Sequence, residues 1–392
     1  MEGDGVVSWE KTTIGKHCLV TSSKRFHLSD RSDSGIPFYC SKEIIQKVNG
    51  QEVTDCDYIR EEAYEAVKEH FGVPKSGDLL ITTRGTYGIP YIYKEEDRFY
   101  FSDGNLTWLK SFDENLMPEF LYYWILSYEG QKKIDAIAKG TAQKAVPIAL
   151  IKDIELLIPN IDTQRKIISV LSVYDDLIEN NQKQIKLLEE AAQRLYKEWF
   201  VDLRFPGYEN TKIVDGVPEG WKEGALGDIA IFKRGKTITK AQVHNGNIPV
   251  VAGGLEPAYY HNKANTSAPV ITVSGSGANA GFTRLYNVDV FASDCSFVDR
   301  ETTDYLFFVY VFLKANKAAL DILQKGAAQP HVYAKDINAL NLIIPSEMLL
   351  KAYCDYTSLY FDKIKCLQEQ MRLLSQARDR LLPKLMSGEL GV

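Results

Sequence analysis

The chain has 392 residues, 45% hydrophobic and 25% charged, with a formal net charge of −6. That is ordinary for a soluble globular protein, and the length predicts two or three domains. The absence of any apolar run of about 18 residues excludes a membrane-spanning helix. The acidic balance argues against a protein that holds nucleic acid by bulk charge alone, unless partner subunits supply the positive charge. The six cysteines (Cys18, Cys40, Cys56, Cys295, Cys354, Cys366) form no C-x-x-C pair, so free thiols and no zinc site are expected. The histidines show no metal-ligand spacing and adjoin no nucleophile motif. The start Met1-Glu2-Gly3-Asp4 is acidic and lacks an apolar signal segment, so a cytoplasmic location is expected.

In chain order, residues 1–158 read as a mixed α/β domain. Trp9-Glu10-Lys11 and Ile14-Gly15 open it, and a charged stretch between Tyr39 and Asp78 carries a helix-like segment at Glu61–His70. The strand-like Leu79-Leu80-Ile81-Thr82 leads into Thr83-Arg84-Gly85-Thr86-Tyr87-Gly88. A helical segment, Glu119–Ala138, precedes Gly140-Thr141-Ala142-Gln143, and an apolar run from Ile154 closes at Pro159.

Residues 159–203 predict a long helix. Ile167, Leu171, Tyr174, Ile178, Asn181, Ile185, Leu188, Ala192, Leu195 and Trp199 follow a 4-3 heptad in which only Asn181 is polar. Asn181 reads as a register-fixing residue or as one facing solvent at a splayed end. Asp162 stands where a capping residue would. Residues 204–220, from Phe205-Pro206-Gly207 to Val217-Pro218-Glu219-Gly220, read as a linker.

Residues 221–344 then repeat the first domain. Gly326-Ala327-Ala328-Gln329 follows Gly140 by 186 residues (140 to 326), and Leu340–Pro345 repeats Ile154–Pro159 without a gap. Trp221 and Ile248-Pro249 match Trp9 and Ile36-Pro37 at the longer offset of 212 (9 to 221), so copy one carries extra sequence, placed between Tyr39 and Asp78. Residues 345–392 repeat the long helix, with Ser346 as cap and a stripe of Tyr353, Thr357, Tyr360, Ile364, Leu367, Met371, Leu374, Arg378, Leu381 and Leu385. Pro383 is expected to end or kink it near Leu382. Two matching stripes in one chain predict an intramolecular pair; a dimerisation coil between chains is the alternative. The period is far longer than a solenoid repeat, so this is domain duplication.

These motifs resemble one family. The Gly-x-x-Gln motif, the strand ending in Ile-Pro, the helix opening Gln164-Arg165-Lys166-Ile167-Ile168, the segment Val217-Pro218-Glu219-Gly220-Trp221 with Leu226-Gly227-Asp228-Ile229, and Leu381-Leu382-Pro383-Lys384-Leu385-Met386-Ser387-Gly388-Glu389-Leu390 are similar to the specificity (S) subunit of type I restriction-modification enzymes. Copy one departs from it in lacking the Pro-Glu-Gly-Trp opening. The resemblance implies an α+β chain with two pseudo-symmetric α/β target recognition domains, joined by two long antiparallel helices that form an intramolecular coiled coil. It implies a noncatalytic subunit reading a bipartite site in double-stranded DNA. Two modification subunits would methylate adenine at N6 with S-adenosylmethionine, and restriction/motor subunits would use ATP and Mg; no cofactor is expected in this chain. A coiled-coil structural adaptor, or an inactive or phase-variable specificity cassette, is the alternative.

Motifs for chemistry are missing. There is no D/N-P-P-Y/F motif for a flipped adenine and no G-x-x-x-x-G-K-[S/T] phosphate loop, and Ser274–Gly281 is glycine-rich without being a nucleotide fingerprint. Base readout needs forked or paired hydrogen-bonding side chains on loops. Arg84, Thr86 and Tyr87 are candidates in copy one, and Ser274, Ser276 and Asn279 hold the comparable place in copy two. Gln143 with Lys144 and Gln329 with His331 are further candidates, the glutamines alternatively bracing a turn. Lys233, Arg234 and Lys236 read as phosphate contacts or exposed loop charges.

Overall fold

Two long helices, Ile161–Tyr196 (36 residues) and Glu347–Met386 (40 residues), run through a mixed α+β architecture. The structure is a computed structural model that describes residues 9–140, 144–324 and 330–392. Contacts divide the chain into two units: Met1–Gln182 with Gln370–Val392, and Lys183–Glu369. Each long helix therefore contributes a part to each unit.

The helix ends show how local chemistry sets boundaries. The first helix is capped by Asn160 and not by Asp162: the Thr163 N–H donates to Asn160 Oδ1 at 2.9 Å. Asp162 lies in the first turn and pairs with Arg165 at 2.8 Å, where an acid favours the helix dipole. Ser346 precedes the second helix, its carbonyl accepting from Leu349 and Leu350. That helix does not end at Pro383 but continues to Met386. An internal proline costs about 3 kcal/mol, and burial of Leu382, Leu385 and Met386 in the core of the first unit offsets it.

In the first unit the strands Leu19–Thr21, Leu106–Lys110, Leu79–Thr82 and Pro90–Ile92 form one sheet in that order, all antiparallel. A second sheet orders Arg31–Ser32, Asp57–Ile59, Ile36–Tyr39 and Tyr100–Phe101. Glu10–Thr13 pairs with Glu155–Ile158. The extra sequence of copy one holds the helices Ser41–Val48 and Glu61–His70, which bury Ile44, Tyr64 and Val67 against aromatic clusters around Phe99 and Tyr100. The segment predicted as one helix is two, Pro118–Leu126 and Tyr128–Ile137; Ser127 breaks it, its hydroxyl accepting from the Gly130 N–H. Residues 161–182 and 370–386 run antiparallel in this unit, with Arg378 bonded to Asp175 at 2.6 Å and Asn181 to Gln370 at 3.4 Å.

In the second unit Lys233–Arg234, Cys295–Asp299, Val270–Ser274 and Thr283–Tyr286 form an antiparallel sheet in that order. Tyr259–His261, Ile248–Val251 and Phe291–Ala292 form another, and Lys222–Ala225 pairs with Asn341–Ile344. Here too a pair of helices, Leu306–Ala315 and Lys317–Ile322, stands where the first unit has Pro118–Leu126 and Tyr128–Ile137. Residues 204–220 contain a hairpin of Ile213–Val214 and Val217–Pro218. Its turn residues Asp215 (φ 52°) and Gly216 (φ 83°) both adopt the left-handed conformation that a two-residue turn requires. Phe205 stacks on Trp221 with ring centroids 5.1 Å apart and joins the core. Tyr353 donates to the Ala192 carbonyl at 2.8 Å, tying the helix portions of this unit. Every position of both heptad stripes is buried or half-buried.

Candidate nucleic-acid interface

A four-stranded antiparallel sheet sends alternate loops off the same end, and this builds the site. In the first unit Thr21 pairs with Trp108 and Thr82 with Leu106, so the segments after Thr21 and Thr82 leave together on either side of the strand Leu106–Lys110. Ser22 and Ser23 donate to the carbonyls of Asp103 and Phe101 at 2.9 and 2.7 Å, pinning the first segment. The second is held by the Thr83 carbonyl, which accepts from the Val146 N–H at 2.9 Å, and by a bridge between Arg84 and Ala145. Lys139 and Ala145 exchange both backbone bonds at 2.8 Å, closing the loop of the Gly140 motif beside Arg84. The candidate strand loop thus lies beside the described ends of the Gly-x-x-Gln segment, Lys139 and Ala145.

These segments form part of the wall of a cleft of about 680 Å³ lined by Lys24, Arg25, Arg84, Lys110 and Lys139, with Asp103 as the carboxylate in its described lining. Asp103 is engaged by Arg25 at 2.8 Å. Arg84 is exposed and has no hydrogen bond or ion pair to a described residue; its guanidinium rests against the turn at Gly104, where a β-carbon would lie 3.5 Å from Cζ. Lys110 lies over the Trp108 ring at 3.6 Å, and burial pushes its ammonium below the usual lysine range. Trp108 donates to Asp78 at 2.8 Å, and burial raises that carboxyl above its ordinary value. Thr86 and Lys144 are exposed. Tyr87 is only half-exposed and donates to Asp135 at 2.8 Å, so it braces the loop.

The second unit has the same wiring. Val332 donates to the Gly275 carbonyl at 3.1 Å and Ser276 bridges His331, so Ser276 occupies the place of Arg84. Lys233 and Arg234 are not in a loop but form the edge strand of the sheet, and Lys236 follows it at the same end; all three are exposed. Ser274 is turned inward: it is buried, like every residue of its central strand, and donates to the Gly253 carbonyl at 3.2 Å. Asn279 also reaches Gly253, at 3.4 Å, and Ser276 donates to Asp294. His331 stacks on Tyr333. Gln143 and Gln329 lie outside the described residues.

Sequence reasoning missed Lys24, Arg25, Lys110 and Lys139. A signal for the first pair existed: counted from the sheet's second strand, Lys24 stands where Lys236 stands in the second unit. Among the described residues no group of histidine, cysteine and acidic side chains could hold a metal, and no helix is long and apolar enough to cross a membrane.

The profile of the family described as "Type I restriction modification DNA specificity domain" matches residues 7–190 and 218–348. The chain belongs to this family. Type I specificity subunits similar to it include the MjaIX specificity subunit of Methanocaldococcus jannaschii, 27% identical over 368 residues (84% of this chain, 81% of the relative). The HindI specificity subunit of Haemophilus influenzae is 21% identical over 403 residues, covering 81% of this chain and 87% of the relative. The fold is similar to that of the crystal structure of the type I restriction-modification S subunit from M. genitalium, with TM-score 0.55, 18% identity and 98% of both chains covered. Members of this specificity-subunit family are generally noncatalytic.

Proposed function

We propose that this chain is the noncatalytic DNA-reading subunit of a type I restriction-modification complex, each unit reading one half of a bipartite target. The observation that carries this reading is the cleft of the first unit. In a chain of net charge −6, five cationic side chains and two loops of hydrogen-bonding residues converge on one concavity. Local positive charge in a low-dielectric cleft attracts phosphates even when the whole molecule is acidic. The recurrence of strand order and loop wiring supports a pseudo-symmetric pair of target recognition domains. The half-sites would differ, because equivalent places differ in chemistry: Ser276 for Arg84, and Asp299 for Lys110.

The buried 4-3 stripes and the antiparallel bonds within each unit support an intramolecular coiled coil. In this proposal the helices set the spacing of the half-sites and carry two modification subunits. S-adenosylmethionine, ATP and Mg belong to the modification and motor subunits. Arg84, Thr86, Lys144 and Gln143 would face the first half-site, with Tyr87 bracing the loop. Lys233, Arg234, Lys236, Ser276, His331 and Gln329 would face the second, with Ser274 and Asn279 holding its loop.

The test is methylome mapping of cells that carry the chain and its partner subunits. Exchanging residues 1–139 for those of a related subunit is expected to change one half of the methylated motif and leave the other. A swap that alters both halves together overturns modular reading, and assembled complexes without sequence-dependent methylation overturn the function.

A further inference from the structure

We propose that Phe71 is a specificity element of the first cleft: an exposed ring that stacks on a base of the half-site bound there. The inference rests on the DNA-reading function above. Phe71 lines the cationic cleft and is 57% exposed. Isolated surface phenylalanines are common, but this one stands in a concave wall whose other members are cations and hydrogen-bonding groups. Lys24 Nζ lies 4.6 Å from its ring centroid, so a charge suited to a phosphate sits beside an aromatic face suited to a base.

The backbone that carries the ring is fixed on both sides. Phe71 ends the helix Glu61–His70, its N–H donating to the Val67 carbonyl at 2.8 Å, and the Gly72 N–H donates to the same carbonyl at 2.9 Å. Gly72 takes φ +82° and lies against the opposite wall, where a β-carbon would come 3.9 Å from Lys110 Nζ and 4.0 Å from Trp108 Cη2. The left-handed turn thus presents Phe71 at the rim while the chain behind it closes on Trp108. A preset side chain loses little freedom on binding, which is where a stacking platform gains most.

The helix that carries Phe71 belongs to the extra sequence of copy one. In the second unit Ile248–Val251 leads through the strand Tyr259–His261 to Val270–Ser274, and no helix intervenes. The added segment therefore supplies its own aromatic to one recognition cleft alone. Stacking by itself tolerates any base; beside Arg84, whose donors read base edges, it would fix which base step is unstacked.

The test uses the assembled complex with its modification subunits and duplexes carrying 2-aminopurine at successive positions of the first half-site. One position is expected to brighten on binding. Phe71→Ala and Phe71→Leu should abolish that signal and weaken binding roughly 5- to 100-fold, whereas Phe71→Tyr and Phe71→Trp should keep both. Base preferences at the second half-site and the thermal midpoint should stay unchanged, since the ring is not core. Sequence-specific binding within twofold of wild type by Phe71→Ala, or full activity of Phe71→Leu, overturns the stacking role alone. A wild-type complex indifferent to the sequence of the first half-site overturns the DNA-reading function beneath it.

Discussion

Arg84 and Tyr87 are three residues apart, yet their environments separate their roles. Arg84 projects from the loop with its donors uncommitted to described neighbours, while the Tyr87 hydroxyl is spent on Asp135. Arg84→Ala is therefore expected to relax the first half-site at a cost of about 1–3 kcal/mol, if the guanidinium forks onto a guanine. Competition binding against duplexes mutated in each half separately reads this, and a uniform loss across all sequences would instead mark a phosphate contact. The cysteines give a second residue-scale prediction. Burial pushes the thiols of Cys18 and Cys295 up to about 12 and that of Cys354 to about 11, whereas Cys366 is exposed. Since the thiolate is the nucleophile, iodoacetamide at pH 8 should label Cys366 in the folded chain and spare those three, as mass spectrometry of digests would resolve. Rapid labelling of Cys295 would contradict its burial in the second unit.

At the scale of elements, the long helices are joined within each unit by polar contacts, Arg378 with Asp175 in the first and Tyr353 with Ala192 in the second. Arg378 stands in a heptad position where a hydrophobic residue is usual, and the first unit explains why: Asp175 faces it and also accepts from Tyr123 at 2.7 Å. Burial opposes the charge, but the Asp175 and Asp379 pairings together hold the guanidinium above its usual range. Arg378→Ala should destabilise the chain by about 1.5–3 kcal/mol by leaving a half-buried carboxylate without its partner. Arg378→Ala with Asp175→Asn should recover part of that loss in urea unfolding, and strict additivity of the two changes would show no coupling. The heptads were legible from sequence because burial with a 3.5-residue period writes itself into one stripe. The strands Leu79–Thr82 and Val270–Ser274 were legible as apolar runs before glycine-rich turns. The Asp215-Gly216 hairpin was passed over because the strands beside it are only two residues long, too short to carry an alternating pattern. Pro383 misled because local propensity carries no information about the distant core that Leu385 and Met386 reach. The cleft was half-legible: its loops stood out by composition, but Lys24 and Lys110, 86 residues apart in sequence, line one cleft only through the fold.

For the whole molecule, the proposed bipartite reading predicts that helix length sets the distance between half-sites. Four residues add roughly 6 Å to a helix, and DNA rises about 3.4 Å per base pair. Four residues inserted near Asn181 should lengthen the unread spacer by one or two base pairs and leave both half-sites intact. A seven-residue insertion keeps the heptad register and should shift the spacer further. Methylated-motif mapping of the two variants is the measurement, and an active variant with the parental spacer would show that the helices are not the ruler.

The first unit draws on both ends of the described chain. Leu382, Leu385 and Met386 enter its core, Lys166 donates to the Val392 carbonyl at 3.2 Å, and Gly388, at φ +74°, lies so close to Trp9 that a β-carbon there would meet the indole Nε1 at 2.8 Å. On a ribosome, then, order of synthesis and order of completion are reversed. The second unit's residues, 183–369, have all been made while the first, begun earlier, still waits for residues 370–392. During that interval the part of residues 161–182 that packs against residues 370–386 lacks its partner and is open to a chaperone or to another nascent chain. A chain truncated after Glu369 and released should hold a protease-resistant second unit and a sensitive first one, whereas the chain that includes residues 370–392 should protect both.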